Sequence, residues 1–392
     1  MHMVGTMKSN PAKLFIQCGA LITLMLSLLL KSGERGRRFL RENFFTFLNP
    51  SSEKFKKLTT WCLDNYKPRL KVGIWESSSR VTPLIEALVG LKFFKAAEPS
   101  MRYHKPKVAF VRRGAMGDVL LAEPCIREFA RKRPNVEVVI ATDCPEVFKN
   151  HPYIRQTLPT KELKNFNEFS AVFDLDALHE NQKEKHITRA YADLIIGNDD
   201  FDLQPQLYFV DRDRFVIEKF LAELSRPICV VHNRIDESQP FRNVDIDIWT
   251  NFLREVKRRH PDLVFLQIGL RPKDVAIEGE DFLDVRNQFT IHQIALLIEN
   301  ARLFIGTDAG PLHVAGTTNT PILSFFTYIS SVTRAPLRAR GAFLGVDSKI
   351  ECAGCWTQFS RPDGWYCRQG SYDCSKRFKI DEAWPWMAPH LS

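Results

Sequence analysis

The sequence contains no RNP, zinc-finger or helix-turn-helix pattern, which removes the usual modules by which a basic chain reads nucleic acid. It also lacks a complete dinucleotide fingerprint. The glycine pair that follows KVAFVRR, Gly114 and Gly117, has no third glycine, and no acidic strand end lies at the expected distance. No small-x-small cleavage site follows the apolar run at 14–30; the chain continues KSGERGRRFLREN, which argues against a removed signal peptide. Nor does the chain have the composition of a disordered protein, with 44% hydrophobic and 26% charged residues. Its 392 residues accommodate two ordinary domains with sizeable cores.

The formal charge of +9 is unevenly placed. The first 105 residues hold 18 Lys/Arg against 7 Asp/Glu, a local +11 that leaves −2 for the remainder. A basic segment on a near-neutral body suits an anionic surface, and lipid headgroups fit that description. Residues 14–30, LFIQCGALITLMLSLLL, are 17 uncharged residues between Lys13 and Lys31, at the short limit for a membrane span. Lys31, Arg35, Arg37, Arg38 and Arg41 outweigh Lys8 and Lys13, so the positive-inside tendency keeps the body cytoplasmic, peripheral to or anchored at the inner membrane. The competing reading is a buried or interfacial helix. Residues 1–104 are read as a helical, basic N-terminal extension with no catalytic spacing.

From Lys105 the pattern changes. KVAFVRR (107–113), VEVVIATD (136–143) and AVFDLDAL (171–178) are of strand length, with helical spacing after the first and a helix-like EVFKNH after the second. A second series runs through PICVVHNR (227–234), a helix at 248–261, LVFLQIG (263–269), a helix at 289–301, LFIGTD (303–308) and PILSFFT (321–327). Such alternation predicts parallel sheets with crossover helices. Two series in tandem predict an α/β protein of two Rossmann-like domains, 105–212 and 213–345, facing across a cleft, with a cysteine-containing tail at 346–392. Ligands of open α/β sheets sit beyond the carboxyl ends of the strands.

Four constellations fall at such places. In VRRGAMGDVLLAEP (111–124), Gly114 and Gly117 are read as turn-positioning residues and Asp118 as either a helix cap or a carboxylate able to take a proton from a hydroxyl. In LFIGTDAGPLHVAG, Thr307, Asp308, Ala309, Gly310 and His313 lie where a strand end meets a helix start, which suits a diphosphate. Asn233 and Arg234 close the run at 227–234 and Arg242 lies in the polar loop after it, and arginines so placed bind phosphate. Cys352, Cys355, Cys367 and Cys374 fall within 23 residues; their irregular spacing leaves a structural zinc or iron site and a set of reduced buried thiols both open. The other five cysteines are scattered, which fits a reducing compartment.

Taken together, VRRGAMGDVLLAEP, the HPYI at 151–154, LFIGTDAGPLHVAG and the CAGC…C…C tail resemble glycosyltransferase family 9, the ADP-heptose:lipopolysaccharide heptosyltransferases and their relatives, over roughly residues 105–380. The resemblance implies a GT-B fold and an inverting transfer that requires no metal or other cofactor. It implies Asp118 as the base that deprotonates the acceptor hydroxyl. Asp308, Gly310 and His313 match the stretch that holds the sugar and diphosphate, and Arg242 stands where relatives carry a phosphate-contacting lysine. The implied partners are ADP-heptose or another nucleotide sugar and a glycolipid or glycan acceptor, by default lipopolysaccharide core, with protein hydroxyls or capsule glycan as the alternative. A non-catalytic nucleotide-binding or metal-clustered scaffold is the competing reading from another class. Two departures bear on the donor: Ala309 replaces the usual Ser or Thr, and the strand end at Gly269 continues LRPKD where ADP-heptose-selective relatives often place a glutamate.

Overall fold

A computed structural model describes residues 105–392 apart from 164–167, 177, 180–181, 183, 236–238, 271–276, 356–366 and 368. The basic extension and its run at 14–30 lie outside the described residues. Among the described residues no helix is long and apolar enough to cross a membrane.

The first lobe is built from β1 (Lys107–Arg112), α1 (Met116–Lys132), β2 (Glu137–Thr142), β3 (Gln156–Leu158), β4 (Ala171–Asp174) and α2 (Ile187–Ile195). Its four strands are all parallel, in the order β3-β2-β1-β4. Phe110 of β1 stacks on Phe173 of β4 with ring centroids 4.9 Å apart, and Phe129 of α1 closes on both rings edge-on. The strand expected to continue to residue 178 stops at Asp174, whose carboxylate accepts the Asp176 N–H at 3.0 Å and turns the chain. The segment EVFKNH, read as helix-like, is a single 3-10 turn at Pro145–Phe148.

The second lobe follows α3 (Asp211–Leu224) with β5 (Ile228–Val231), α4 (Ile246–Arg259), β6 (Val264–Gln267), β7 (Phe282–Asp284), α5 (Ile291–Glu299), β8 (Leu303–Thr307), α6 (Gly310–Ala315), β9 (Ile322–Phe326), α7 (Ser331–Arg334), β10 (Phe343–Asp347) and α8 (Ala383–Leu391). The sheet order is β10-β9-β8-β5-β6-β7, again parallel throughout. Its first strand is central, the doubly wound arrangement whose order reverses between β5 and β8. Side chains alternate between faces as strand geometry requires. Ile228 and Val230 of β5 enter the core that also holds α5 and α6. Cys229 and Val231 enter a second core with Trp249 and Phe252 of α4 and Ala383 and Met387 of α8. Both faces are covered, which explains why these strands read as continuous apolar runs. The tail thus closes back onto the second sheet, with Arg259 lying 4.1 Å from the Trp384 ring centre.

The described residues from 105 onward belong to one compact unit, and the crossing between lobes is tightly bonded. The side chain of Gln204 donates to the Gly316 and Thr318 carbonyls of the second lobe and accepts the Arg340 N–H. Two residues on, the Gln206 N–H donates to Glu123 of α1 at 2.9 Å. Glu123 is fully buried and also meets Arg127 at 2.9 Å and His151, the first residue of HPYI, at 3.1 Å. That motif is therefore a structural anchor. Replacing Glu123 by Ala removes the acceptor of three polar partners, the buried His151 among them, and is expected to cost about 3–5 kcal/mol, read as a lower urea midpoint at unchanged slope.

Candidate functional site

The chain leaves β1 through Gly114, whose φ of 94° is the left-handed turn glycine tolerates. Helix α1 begins directly after it. Asp118 sits in the first turn of α1, where the helix dipole favours a carboxylate. It does not cap the helix: the cap position is Ala115, without a side-chain hydrogen bond. Instead Asp118 accepts from Arg112 at 2.6 Å and from Arg334, the last residue of α7 in the other lobe, at 2.7 Å. Burial pushes the carboxyl upward, but Arg334 and then Arg112 overcome it and hold the group at about 2. Arg112 is itself fixed by Tyr191 Oη at 3.0 Å, Asp176 at 2.7 Å and the Arg113 carbonyl at 2.5 Å.

Gly117 has a different role from the one read in the sequence. It lies inside α1, not in the turn, and a Cβ there would fall on the His313 ring of the second lobe. Its lack of a side chain lets the two lobes approach, while Gly114 alone makes the turn.

On the other side, β8 ends at Thr307, and Asp308, Ala309 and Gly310 lead into α6. The helix start is a poorer anion site than the sequence suggests. Pro311 has no N–H, and the Leu312 N–H is already bonded to the Ala309 carbonyl at 3.0 Å. Side chains supply the positive charge instead. Arg242, on the 3-10 turn Pro240–Arg242, donates to the Asp308 carbonyl at 3.1 Å and approaches its carboxylate at 3.4 Å. His313 is buried; desolvation outweighs Asp308 and Asp118 and lowers its imidazole to about 4, so it is neutral near pH 7 and offers one N–H.

These groups line one cleft of about 300 Å³. Asp118 and Gly114 enter it from the first lobe, and Asp308, Gly310, His313 and Arg242 from the second. Four guanidinium groups, Arg112, Arg234, Arg242 and Arg334, face two carboxylates, Asp118 and Asp308, so the lining carries a surplus of +2 before any contribution from histidine. Thr307 and Asn233 do not line it. Thr307 is buried, its hydroxyl accepting the Arg234 N–H at 3.4 Å. Asn233 is buried at the end of β5, its amide without a protein hydrogen-bond partner among the described residues. Sequence reasoning missed Arg112, Arg334 and His179. Arg112 was visible as a charge at a strand end, but nothing in the sequence places Arg334 216 positions from its partner.

The four tail cysteines are neighbours. Burial, with Cys355, Cys367 and Cys352 beside it, pushes the Cys374 thiol up to about 12. All four are free thiols, and among the described residues no three metal-ligating side chains stand close enough to hold an ion.

Two outcomes follow from this geometry. Gly117→Ala overpacks the lobe contact and should destabilise by about 1–3 kcal/mol, measured by urea unfolding. His186, with burial again the main cause, is also lowered to about 4; its Nδ1 accepts from Thr188 and its Nε2–H donates to the Ala335 carbonyl. A base held below its ordinary 6.5 binds fewer protons folded than unfolded, so stability should fall as pH drops from 6.5 toward 4. Each histidine costs on the order of 3 kcal/mol across that window, and His186→Asn should flatten the slope.

The family model described as glycosyltransferase family 9 (heptosyltransferase) matches residues 274–362. No curated protein matches the chain. Among solved structures, a family 9 glycosyl transferase from Veillonella parvula DSM 2008 is 14% identical, covering 74% of this chain and 98% of its own, with a TM-score of 0.56. The dodecameric iron-containing heptosyltransferase TibC of enterotoxigenic E. coli H10407, in complex with ADP-D-β-D-heptose, is 13% identical over 74% and 77%, with a TM-score of 0.54. The E. coli ADP-heptose lps heptosyltransferase II is 11% identical over 73% and 100%, with a TM-score of 0.51. At such identities these likenesses establish the fold, two parallel-sheet lobes of GT-B type. The chain therefore carries the glycosyltransferase family 9 signature across residues 274–362, on the fold of that family's solved members.

Proposed function

We propose that this protein is an inverting glycosyltransferase that moves heptose from ADP-heptose to a hydroxyl of a bacterial glycoconjugate. The observation that carries the reading is the shared cleft. Asp118 comes to it from one lobe and Asp308, Gly310, His313 and Arg242 from the other, around a positively charged lining. The donor diphosphate sits against Arg242 and Arg234, with the neutral His313 adding one hydrogen bond. The acceptor hydroxyl attacks the anomeric carbon from the first lobe as the bond to the diphosphate oxygen breaks; Asp118 takes the hydroxyl proton and ADP leaves. One direct displacement inverts the anomeric centre. Fixed guanidinium groups neutralise the leaving diphosphate, the task a divalent cation performs in other transferases.

ADP-heptose as donor is supported by the bound ligand named for TibC and by the substrate named for heptosyltransferase II. A lipopolysaccharide-type acceptor at the cytoplasmic face of the inner membrane is supported by the basic first 105 residues, suited to an anionic lipid surface. Iron named for TibC does not enter the reaction proposed here.

Purified protein should be stabilised thermally by ADP-heptose over UDP- and GDP-sugars. Transfer should then be followed with lipopolysaccharide core, capsule glycan and peptide acceptors. Asp118→Asn should bind ADP no more weakly than the unsubstituted chain and lower kcat by about 10²–10⁴-fold, and EDTA should leave the rate unchanged. Full activity in the Asp118→Asn variant refutes the reading.

A further inference from the structure

Arg112 and Arg334 hold the same carboxylate but are anchored differently. Arg112 belongs to Asp118's own lobe and is fixed by Tyr191, Asp176 and the Arg113 carbonyl. Arg334 ends the single-turn helix α7 of the second lobe and reaches across the cleft to Asp118 at 2.7 Å and to His179 Nε2 at 2.8 Å, both in the first lobe. It also lines the cleft with Arg242 and Gly310, where the diphosphate of the proposed donor would lie. A diphosphate confined to about 300 Å³ with this guanidinium brings at least two negative charges to compete with one carboxylate. A guanidinium has five N–H donors on a flexible stem, so it can exchange one acceptor for another at little cost.

We infer that Arg334 is a positioning residue that couples donor loading to the state of Asp118: it pairs with Asp118 before the donor arrives, and on donor binding it turns to the diphosphate and leaves Asp118 held by Arg112 alone. This inference rests on the transferase reading above. It resolves a difficulty in that reading, because a carboxylate clamped by two guanidinium groups is a poor proton acceptor. Releasing one of them only when the donor is present makes Asp118 more basic at the moment the acceptor hydroxyl needs it. Arg112 then keeps the carboxylate oriented.

The test is a double-mutant cycle on nucleotide affinity, measured by calorimetry on the full chain with ADP and, separately, inorganic pyrophosphate. D118N frees Arg334 for the anion and should tighten ADP binding about tenfold, within the range of coupling between contacting charged groups. In the R334Q background the same substitution should tighten it less than about twofold, and R334K should behave as an intermediate. Arg334 merely supporting the fold would not produce this coupling. Equal tightening by D118N in both backgrounds means simple charge repulsion and overturns the inference while leaving the transferase reading intact. Absence of binding by either probe in every variant overturns both. R334K, which keeps the charge, supplies the second arm of the cycle if R334Q is poorly folded.

Discussion

The structure depends on one carboxylate held between two lobes. Asp118 projects from the first turn of α1 and is met by a guanidinium from each side, Arg112 beneath it and Arg334 opposite. A buried charge without partners would be costly. The pairs compensate that cost, and because one partner comes from each lobe the carboxylate marks where the two lobes meet. The cleft follows from this arrangement: its floor is the carboxyl edge of both sheets, and its width is set by how closely α1 and α6 approach.

That approach is a matter of small residues. Gly117 leaves room for the His313 ring, and a Cβ on Gly310 would come within 2.6 Å of Met116 Cε. Two glycines that read in the sequence as turn or phosphate-loop residues thus act as spacers between lobes. The positive field is made by side chains rather than by the end of a helix. Helix α6 has six residues, a proline in its first turn and an alanine cap whose side chain makes no hydrogen bond. Arg234 and Arg242, delivered by the loop after β5, supply the charge that the helix end does not.

Much of the fold was legible because both sheets are buried on both faces. Continuous apolar runs such as ICVV and LFIGT can be little else when helical segments separate them. Boundaries were less visible where side chains decided them, as at Asp174, whose carboxylate ends β4 four residues early. The grouping of Asp118, Asp308, Gly310, His313 and Arg242 was readable because each follows a strand end. Arg334 and His179 were not, since both depend on how one lobe is set against the other, a relation no local pattern encodes. The role of HPYI was equally hidden: His151 serves a buried carboxylate 28 positions earlier.

The connection between lobes bears on how such a cleft admits its ligands. Gln204 is tied to the second lobe and Gln206 to the first, with only Pro205 between them. A stiff three-residue bridge of this kind has no slack to act as a pivot. Wide jaw-like opening would strain those ties, and the bonds from Gln204 to the Gly316 and Thr318 carbonyls are sheltered from water. Traffic into the cavity is thereby biased toward rearrangement of the rim, where α7 and the loop after β5 stand, over separation of the two halves.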